Sequence, residues 1–163
     1  MRHDGTMRPR RRRLLQSLAL GVALSPLATL AQGPARTAIT VYKSPLCGCC
    51  EDWVKHLRDH GFAVSTQNVE DTGPWRQRLG MPERFASCHT GLVAGYAIEG
   101  HVPAADIRRL LATQPKAAGL AVPAMPLGSP GMDQGPRKDP YDVLLVKADG
   151  TATVFASYNK AKA

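Results

Sequence analysis

The 163-residue chain is poor in aromatic residues, which make up 6% of it, and it contains no internal repeat. It also lacks a Ser/His/Asp arrangement, a glycine-rich phosphate-binding loop and a catalytic pair of carboxylates. Its apolar run at residues 14–30 includes Pro26 and spans 17 residues, whereas a helix that crosses a bilayer needs about 20. These absences leave hydrolases, nucleotide-binding enzymes and membrane-spanning proteins without support.

The net charge of +8 is concentrated near the N-terminus. Residues 1–31 contain six arginines and one acidic residue, so the remaining 132 residues carry a net charge of only +3, with mixed signs. Nucleic-acid binding requires a continuous basic surface that follows the phosphates. Nucleic acid is therefore not among the predicted partners.

The basic segment has the features of an export signal. The arginines at residues 10–13 precede the apolar run, and small residues at 28–31 end it. A basic region, an apolar region and a small-residue exit are the three parts of a secretory signal peptide, and residues 11–16 also resemble a twin-arginine signal. The pattern favours cleavage after Ala31 over an uncleaved anchor. We expect a periplasmic or otherwise exported protein with no stable membrane span after cleavage.

Four cysteines belong to the exported part. Cys47, Cys49 and Cys50 lie within four residues, and Cys88 is separate. Exported proteins commonly pair their cysteines, but adjacent and next-neighbour cysteines fit disulfide geometry badly. A chain of this length also buries a sufficient core without covalent help. The sequence therefore predicts that the cluster serves chemistry rather than covalent stabilisation.

The apolar pattern predicts one α/β domain over residues 38–158, which a short linker, residues 32–37, joins to the export signal of residues 1–31. Strands and helices alternate in its first half, and the cysteine cluster falls at the first turn from strand to helix. This order is typical of a thioredoxin-like domain. The expected elements are strands at 38–42, at 62–69 and within 90–98, and helices from about 49 to 61, within 71–80 and from 103 onwards.

Two features are added to this domain in its second half. Residues 119–140 contain five prolines and four glycines without a helical or strand period, which predicts a long surface loop. We expect residues 121–132 to cover the cysteine turn, with Met125 and Met132 as candidate thioether ligands, and residues 134–139 to be mobile. An Asp-Gly pair at 149–150 predicts a C-terminal β-hairpin.

The position of the cysteines favours thiolates. Sulfurs at the start of a helix face unpaired N–H groups and the positive end of the helix dipole. Thiolates suit a dithiol redox centre as well as a soft-metal site, but disulfide exchange needs only two sulfurs, so the third cysteine favours a metal. Consecutive cysteines bridge several Cu(I) ions more readily than they chelate one tetrahedral zinc. Copper is the favoured ion, with zinc and dithiol redox chemistry as alternatives.

The histidines give weaker predictions. His89 follows Cys88 directly and is a candidate ligand or a hydrogen-bond partner of its sulfur. His101 is interpreted chiefly as part of the start of the next helix. His56 and His60 have a chelating spacing on the first predicted helix, but their charged neighbours favour a solvated face.

Four segments together resemble the CopG-type bacterial copper-resistance proteins, a family of small periplasmic metal-binding proteins. They are SPLCGCC at 44–50, SCHT at 87–90, EGHVPA at 99–104 and GLAVPAMP at 119–126, and the similarity extends over about residues 38–156. The resemblance implies a thioredoxin-like fold and a multinuclear copper cluster that the cysteines bridge. Its ligands would be Cys47, Cys49, Cys50 and Cys88.

We therefore predict an exported copper-binding protein for copper resistance, with copper ions and other periplasmic copper-handling proteins as partners. Binding of Cu(I) in a cysteine-bridged site is favoured over an enzymatic role. The alternative is a thiol–disulfide or copper oxidoreductase that uses the same cysteines. Cys49 separates the two, because a dithiol exchange cycle does not need it and a bridged cluster does.

Overall fold

The computed structural model describes residue 1 and residues 36–161, so the predicted export signal and most of the linker lie outside the described residues. No helix in the described part is long and apolar enough to cross a bilayer. The elements, in chain order, are β1 (Ala38–Lys43), α1 (Gly48–Asp59), β2 (Ala63–Asn68), α2 (Gly73–Arg78), a 3₁₀ turn (Glu83–Phe85), β3 (His89–Val93), β4 (Tyr96–Glu99), α3 (Ala104–Thr113), β5 (Gly119–Ala121), β6 (Tyr141–Val146) and β7 (Ala152–Tyr158).

The seven strands in the described residues form one sheet in the order β2-β1-β3-β4-β5-β6-β7. β1 is parallel to β2 and antiparallel to β3, and β4 is antiparallel to β3 and parallel to β5. The last two strands form the expected antiparallel C-terminal hairpin. The predicted α/β class is confirmed. The thioredoxin-like assignment stays a prediction, for which the order β1-α1-β2-α2-β3-β4-α3 supplies the required connectivity.

The packing of α1 fixes the orientation of the cysteine turn. Trp53 and Leu57 on its inner face are fully buried against Val41 of β1 and Ile107 of α3. Burying one large apolar side chain contributes about 1.5–3 kcal/mol, so this contact resists rotation of the helix. Cys50 lies on the same inner face and is also fully buried.

One strand lies inside the segment that we expected to be a loop. The prediction of no regular element over residues 119–140 is wrong for β5, which is buried between β4 and β6. Three residues are too short to show a period, and only glycine fits at its first position, because a Cβ on Gly119 would overlap the carbonyl oxygen of Ala97. Residues 122–140 contain neither helix nor strand, as predicted.

His56 of α1 contacts the start of α3. Its Nε2 accepts a hydrogen bond, 3.1 Å long, from the backbone N–H of Ala104, one of the N–H groups that a first helical turn leaves unpaired. Burial, and then the charge of His60, lowers the pKa of His56 to about 4. The predicted solvated face is therefore wrong for His56, which is half-buried, whereas His60 is exposed.

We expect acid to weaken the fold through His56. The folded protein binds its neutral ring, so this contribution to stability is fully present above pH 6.5 and is lost as the pH falls towards 4. Because the ring is partly solvated, we expect a loss of about 1–2 kcal/mol. Urea unfolding at about pH 7 and about pH 4.5 measures it. His56→Gln should reduce the pH dependence more than His60→Gln, because His60→Gln removes only the second cause of the lowered pKa of His56. Equal pH dependence in wild type and His56→Gln would contradict this role.

Candidate metal centre

The four predicted cysteine ligands meet at the start of α1. Cys49 Sγ lies 3.5 Å from Cys47 Sγ and 3.9 Å from Cys88 Sγ, and all four sulfurs lie within 4.8 Å of one another. Cys88 reaches this turn because it immediately precedes β3, whose first residue pairs with the last residue of β1. The sheet register therefore supplies the one ligand that the cysteine turn does not contain.

Two of these cysteines are bonded to each other. Cys47 and Cys50 form a disulfide, whereas Cys49 and Cys88 are free. The sequence predicts a chemical rather than a covalent role for the cluster, with dithiol redox chemistry as an alternative. The objection to neighbouring cysteines does not apply three residues apart, because the first turn of α1 brings the two Cα atoms to 5.3 Å, within the range that a disulfide requires. Reduction of this disulfide by two electrons and two protons would give a form with four thiols.

Two buried imidazole rings face the sulfur of Cys88. His89 Nδ1 lies 3.3 Å from it and His101 Nε2 lies 3.2 Å from it. The other nitrogen of each ring contacts a backbone carbonyl oxygen, that of Gly100 for His89 and that of Pro130 for His101, at 3.0 and 2.8 Å. A carbonyl oxygen only accepts, so those nitrogens carry the protons. The nitrogens that face the sulfur therefore present lone pairs.

Both rings are held in the neutral form. Burial lowers the pKa of His89 to about 3, and burial also lowers the pKa of His101. Burial, and then the charge of nearby Cys49, raises the pKa of Cys88 to about 12, so its sulfur carries a proton when no cation is bound. A metal ion would replace that proton and accept the lone pairs of the rings.

The sequence favoured a role for His101 at the start of α3, whereas the structure places its ring beside the sulfur of Cys88. Instead of only starting α3, it completes a second group of donors, Cys88, His89 and His101, within 4.8 Å of one another. His101 belongs to the EGHVPA segment, one of the four segments that resemble the family. Its position beside Cys88 depends on the pairing of β3 with β4, in which Thr90 lies opposite Glu99.

The loop that follows β5 covers the cysteine turn, as predicted. Met125 Sδ lies 4.0 Å from Cys49 Sγ. Gly131 packs directly on α1, where a Cβ would lie 2.6 Å from the backbone nitrogen of Trp53. Met132 is 9% exposed, and its backbone hydrogen-bonds to Ser129 and Gly128 within the loop. Met125 is thus the methionine that the structure places against a cysteine sulfur.

A buried ion pair holds the segment that carries Cys88. The carboxylate of Glu99 is fully buried and accepts hydrogen bonds from Arg76 Nε at 3.0 Å, from the N–H of Ser87 at 2.7 Å and from the hydroxyl of Thr90 at 2.6 Å. Arg76 also donates to the carbonyl oxygen of Ser87 at 3.2 Å. Both backbone groups of the residue before Cys88 are therefore fixed by one ion pair.

Comparison with known proteins places the chain in a family. The family described as "Protein of unknown function, DUF411" matches residues 85–132, and a search of curated proteins found no match. Two solved structures named copper resistance protein CopG, form 1 and form 2, are each 46% identical to the chain over 76% of its length, with 98% and 99% of their own chains covered and TM-scores of 0.72 and 0.73. The chain belongs to the CopG-type copper-resistance family.

Proposed function

We propose that the protein binds copper for copper resistance and holds more than one Cu(I) ion in a site that cysteine sulfurs bridge. The observation that carries this proposal is the position of Cys49, whose sulfur lies close to two other cysteine sulfurs, 3.5 Å from that of Cys47 and 3.9 Å from that of Cys88. Thiolates select soft ions, and a sulfur with two other sulfurs within 4 Å of it can share one ion with each of them. The names of the similar structures support copper as the ion.

The proposed ligands of the reduced protein are Cys47, Cys49, Cys50 and Cys88. We propose that Met125 adds a thioether ligand, which the distance of 4.0 Å between its Sδ and Cys49 Sγ supports. For Met132 we propose a role in folding the loop, where its backbone forms hydrogen bonds. Zinc is less favoured, because consecutive cysteines do not chelate one tetrahedral ion in the usual manner.

We propose that this site acts outside the cytoplasm, in a mature domain of residues 38–158 that remains after removal of residues 1–31. The basic segment, the apolar run and the small residues at its end support export. Other copper-handling proteins of the periplasm are the proposed partners. Such a protein would approach two exposed side chains: Leu46, which precedes Cys47 in the chain and is 93% exposed, and Met125, which is 48% exposed and 4.0 Å from Cys49 Sγ.

A second candidate function is thiol–disulfide or copper oxidation and reduction by the same cysteines. The observation that favours it is the disulfide between Cys47 and Cys50, the two ends of a C-x-x-C sequence. Disulfide exchange uses one attacking and one resolving sulfur, so a dithiol centre gives no role to Cys49 or Cys88.

Single Cys→Ser variants distinguish these functions. In reduced protein loaded with Cu(I) and freed of unbound metal, we expect Cys49→Ser and Cys88→Ser each to lose about half of the bound copper or more, because each removes a bridging sulfur. Elemental analysis of each purified variant measures the loss, and a serine variant far from the site, Ser157→Ala, is the control. A copper-free wild type in which only Cys47→Ser and Cys50→Ser abolish exchange with a small thiol would establish the dithiol function instead.

A further inference from the structure

We propose that the outer edge of β2 is an interface at which a second copy of this chain binds. The two β2 strands run antiparallel, with Thr66 of one copy opposite Thr66 of the other, and join two seven-stranded sheets into one. None of the candidate metal ligands lies on β2, which spans Ala63–Asn68. The inference is therefore independent of the proposed function.

One edge of β2 is open in the part of the chain that the structure describes. β2 is the first strand of the sheet and pairs there only with β1. The backbone N–H groups of Ala63 and Val69 donate to carbonyl oxygens of the segment 37–43, on the β1 side. Alternate residues of a strand direct their N–H and C=O groups to opposite sides. The residues whose backbone groups point away from β1 are therefore Val64, Thr66 and Asn68.

β2 lacks the features that normally prevent pairing with another chain, which are charged side chains, proline and β-bulges. Its six residues, AVSTQN, include no charge and no proline, and its register with β1 is continuous. The opposite edge of the sheet, β7, is protected. A bulge leaves Phe155 without a partner on β6, and Arg109 donates to the carbonyl oxygen of Phe155 at 2.8 Å. β2 is therefore the edge that can accept a partner strand.

Opposite charges at the two ends of β2 point to a second copy as the partner. At its start, Arg58 donates to the carbonyl oxygen of Val64 at 3.2 Å, and Arg108 lies over the aromatic ring of the residue before β2. Glu70 and Asp71, both exposed, follow its end. An antiparallel copy places each basic end beside the acidic end of the other chain, whereas a parallel copy would bring like charges together. The edge is thus complementary to itself.

The open backbone groups determine the register. With Thr66 opposite Thr66 of the second copy, Val64 of each chain lies opposite Asn68 of the other. All three open residues then form hydrogen-bonded pairs, each of which exchanges two backbone hydrogen bonds, so about six bonds connect the chains. Arg58 is compatible with this pairing, because the carbonyl oxygen of Val64 can accept a second hydrogen bond.

Pairing of the two β2 strands directs the metal centres away from each other. The cysteine turn follows β1, which is parallel to β2. Two antiparallel β2 strands therefore direct the two cysteine turns to opposite ends of the shared sheet. The amount of metal bound per chain should not change with dimerisation.

Sedimentation equilibrium over a range of protein concentrations tests the inference, with a reducing agent present so that no disulfide links two chains. One pair of six-residue strands buries less than the about 1,200 Å² of a standard interface, so we expect a weak, concentration-dependent dimer. Thr66→Pro should weaken it about tenfold or more, because the dimer loses two backbone hydrogen bonds. The β1–β2 ladder keeps all of its bonds, since the lost N–H points outward. Thr66→Val, which keeps that N–H, is the matched control.

Charge reversal gives a second test that does not introduce a proline. Arg58→Glu should weaken the dimer about threefold or more, and Arg58→Glu/Glu70→Arg should restore it, because opposite charges face each other again. Arg137→Glu, an exposed residue of the loop after β5, controls for the change in net charge. A protein that stays monomeric at millimolar concentration, a dimer that Thr66→Pro leaves unchanged, or no recovery in the double variant would overturn the inference. None of these results bears on copper binding.

Discussion

Replacing Glu99 with glutamine is expected to lower the free energy of unfolding of the copper-free protein by about 3–5 kcal/mol. The substitution keeps the size of the side chain but leaves the guanidinium of Arg76, which is 4% exposed, without its buried counter-charge. The exposed carboxylate of Glu83, 2.7 Å from Arg76, replaces little of that interaction, because water screens it. Urea unfolding followed by circular dichroism measures the loss.

Two further variants test whether burial of the pair causes this effect. Asp142→Asn removes the carboxylate of an exposed ion pair with Lys160, whose atoms lie 2.7 Å apart, and should cost less than about 1 kcal/mol. The double variant Arg76→Met/Glu99→Leu replaces the buried pair with apolar side chains and should recover part of the loss. Equal losses in Glu99→Gln and Asp142→Asn would contradict the argument.

The ion pair between Arg76 and Glu99 shows why part of the candidate site could not be predicted from the sequence. Cys47, Cys49 and Cys50 are local, and the helical spacing of Trp53 and Leu57 predicts where they lie. Arg76 and Glu99 are 23 residues apart, and their contact depends on how α2 packs beside the end of β4. No short pattern encodes such a contact, so the ion pair that positions Cys88 was not predicted.

Long-range pairing also explains the other differences. β5 has only three residues, too few to show a period, and it pairs with β4 and β6, which are distant in the chain or separated from it by the loop. His101 joins the site because β4 lies next to β3. Cys88 was predicted at the turn because the thioredoxin-like order already implies the required neighbouring strands. The sequence therefore predicts the cysteines, because three of them are neighbours in the chain and the strand order places the fourth. The position of His101 and the pairing of β5 depend on tertiary packing, which a short sequence pattern does not encode.

Gly131→Ala is the second change expected to have a large effect. Gly131 has a φ of +83°, and an added Cβ would lie 2.6 Å from the nitrogen of Trp53 and 2.8 Å from the carbonyl oxygen of Cys49. Both are backbone atoms of α1, so the loop must move instead. Left-handed backbone costs an alanine about 1–2 kcal/mol, and overpacking adds about 1–3 kcal/mol. We expect a total loss of about 3 kcal/mol in urea unfolding.

Gly135→Ala separates the two contributions to this loss. Gly135 has a φ of +86°, but no atom lies within 4 Å of its added Cβ, so this variant should show the backbone cost alone, about 1–2 kcal/mol. Only Gly131→Ala should lift the loop from α1, which would break the hydrogen bond from His101 to Pro130 and move Met125 away from Cys49. Hydrogen exchange of residues 127–132 should therefore accelerate in Gly131→Ala and not in Gly135→Ala. Equal stability losses and equal exchange in the two variants would mean that the loop does not depend on its contact with α1.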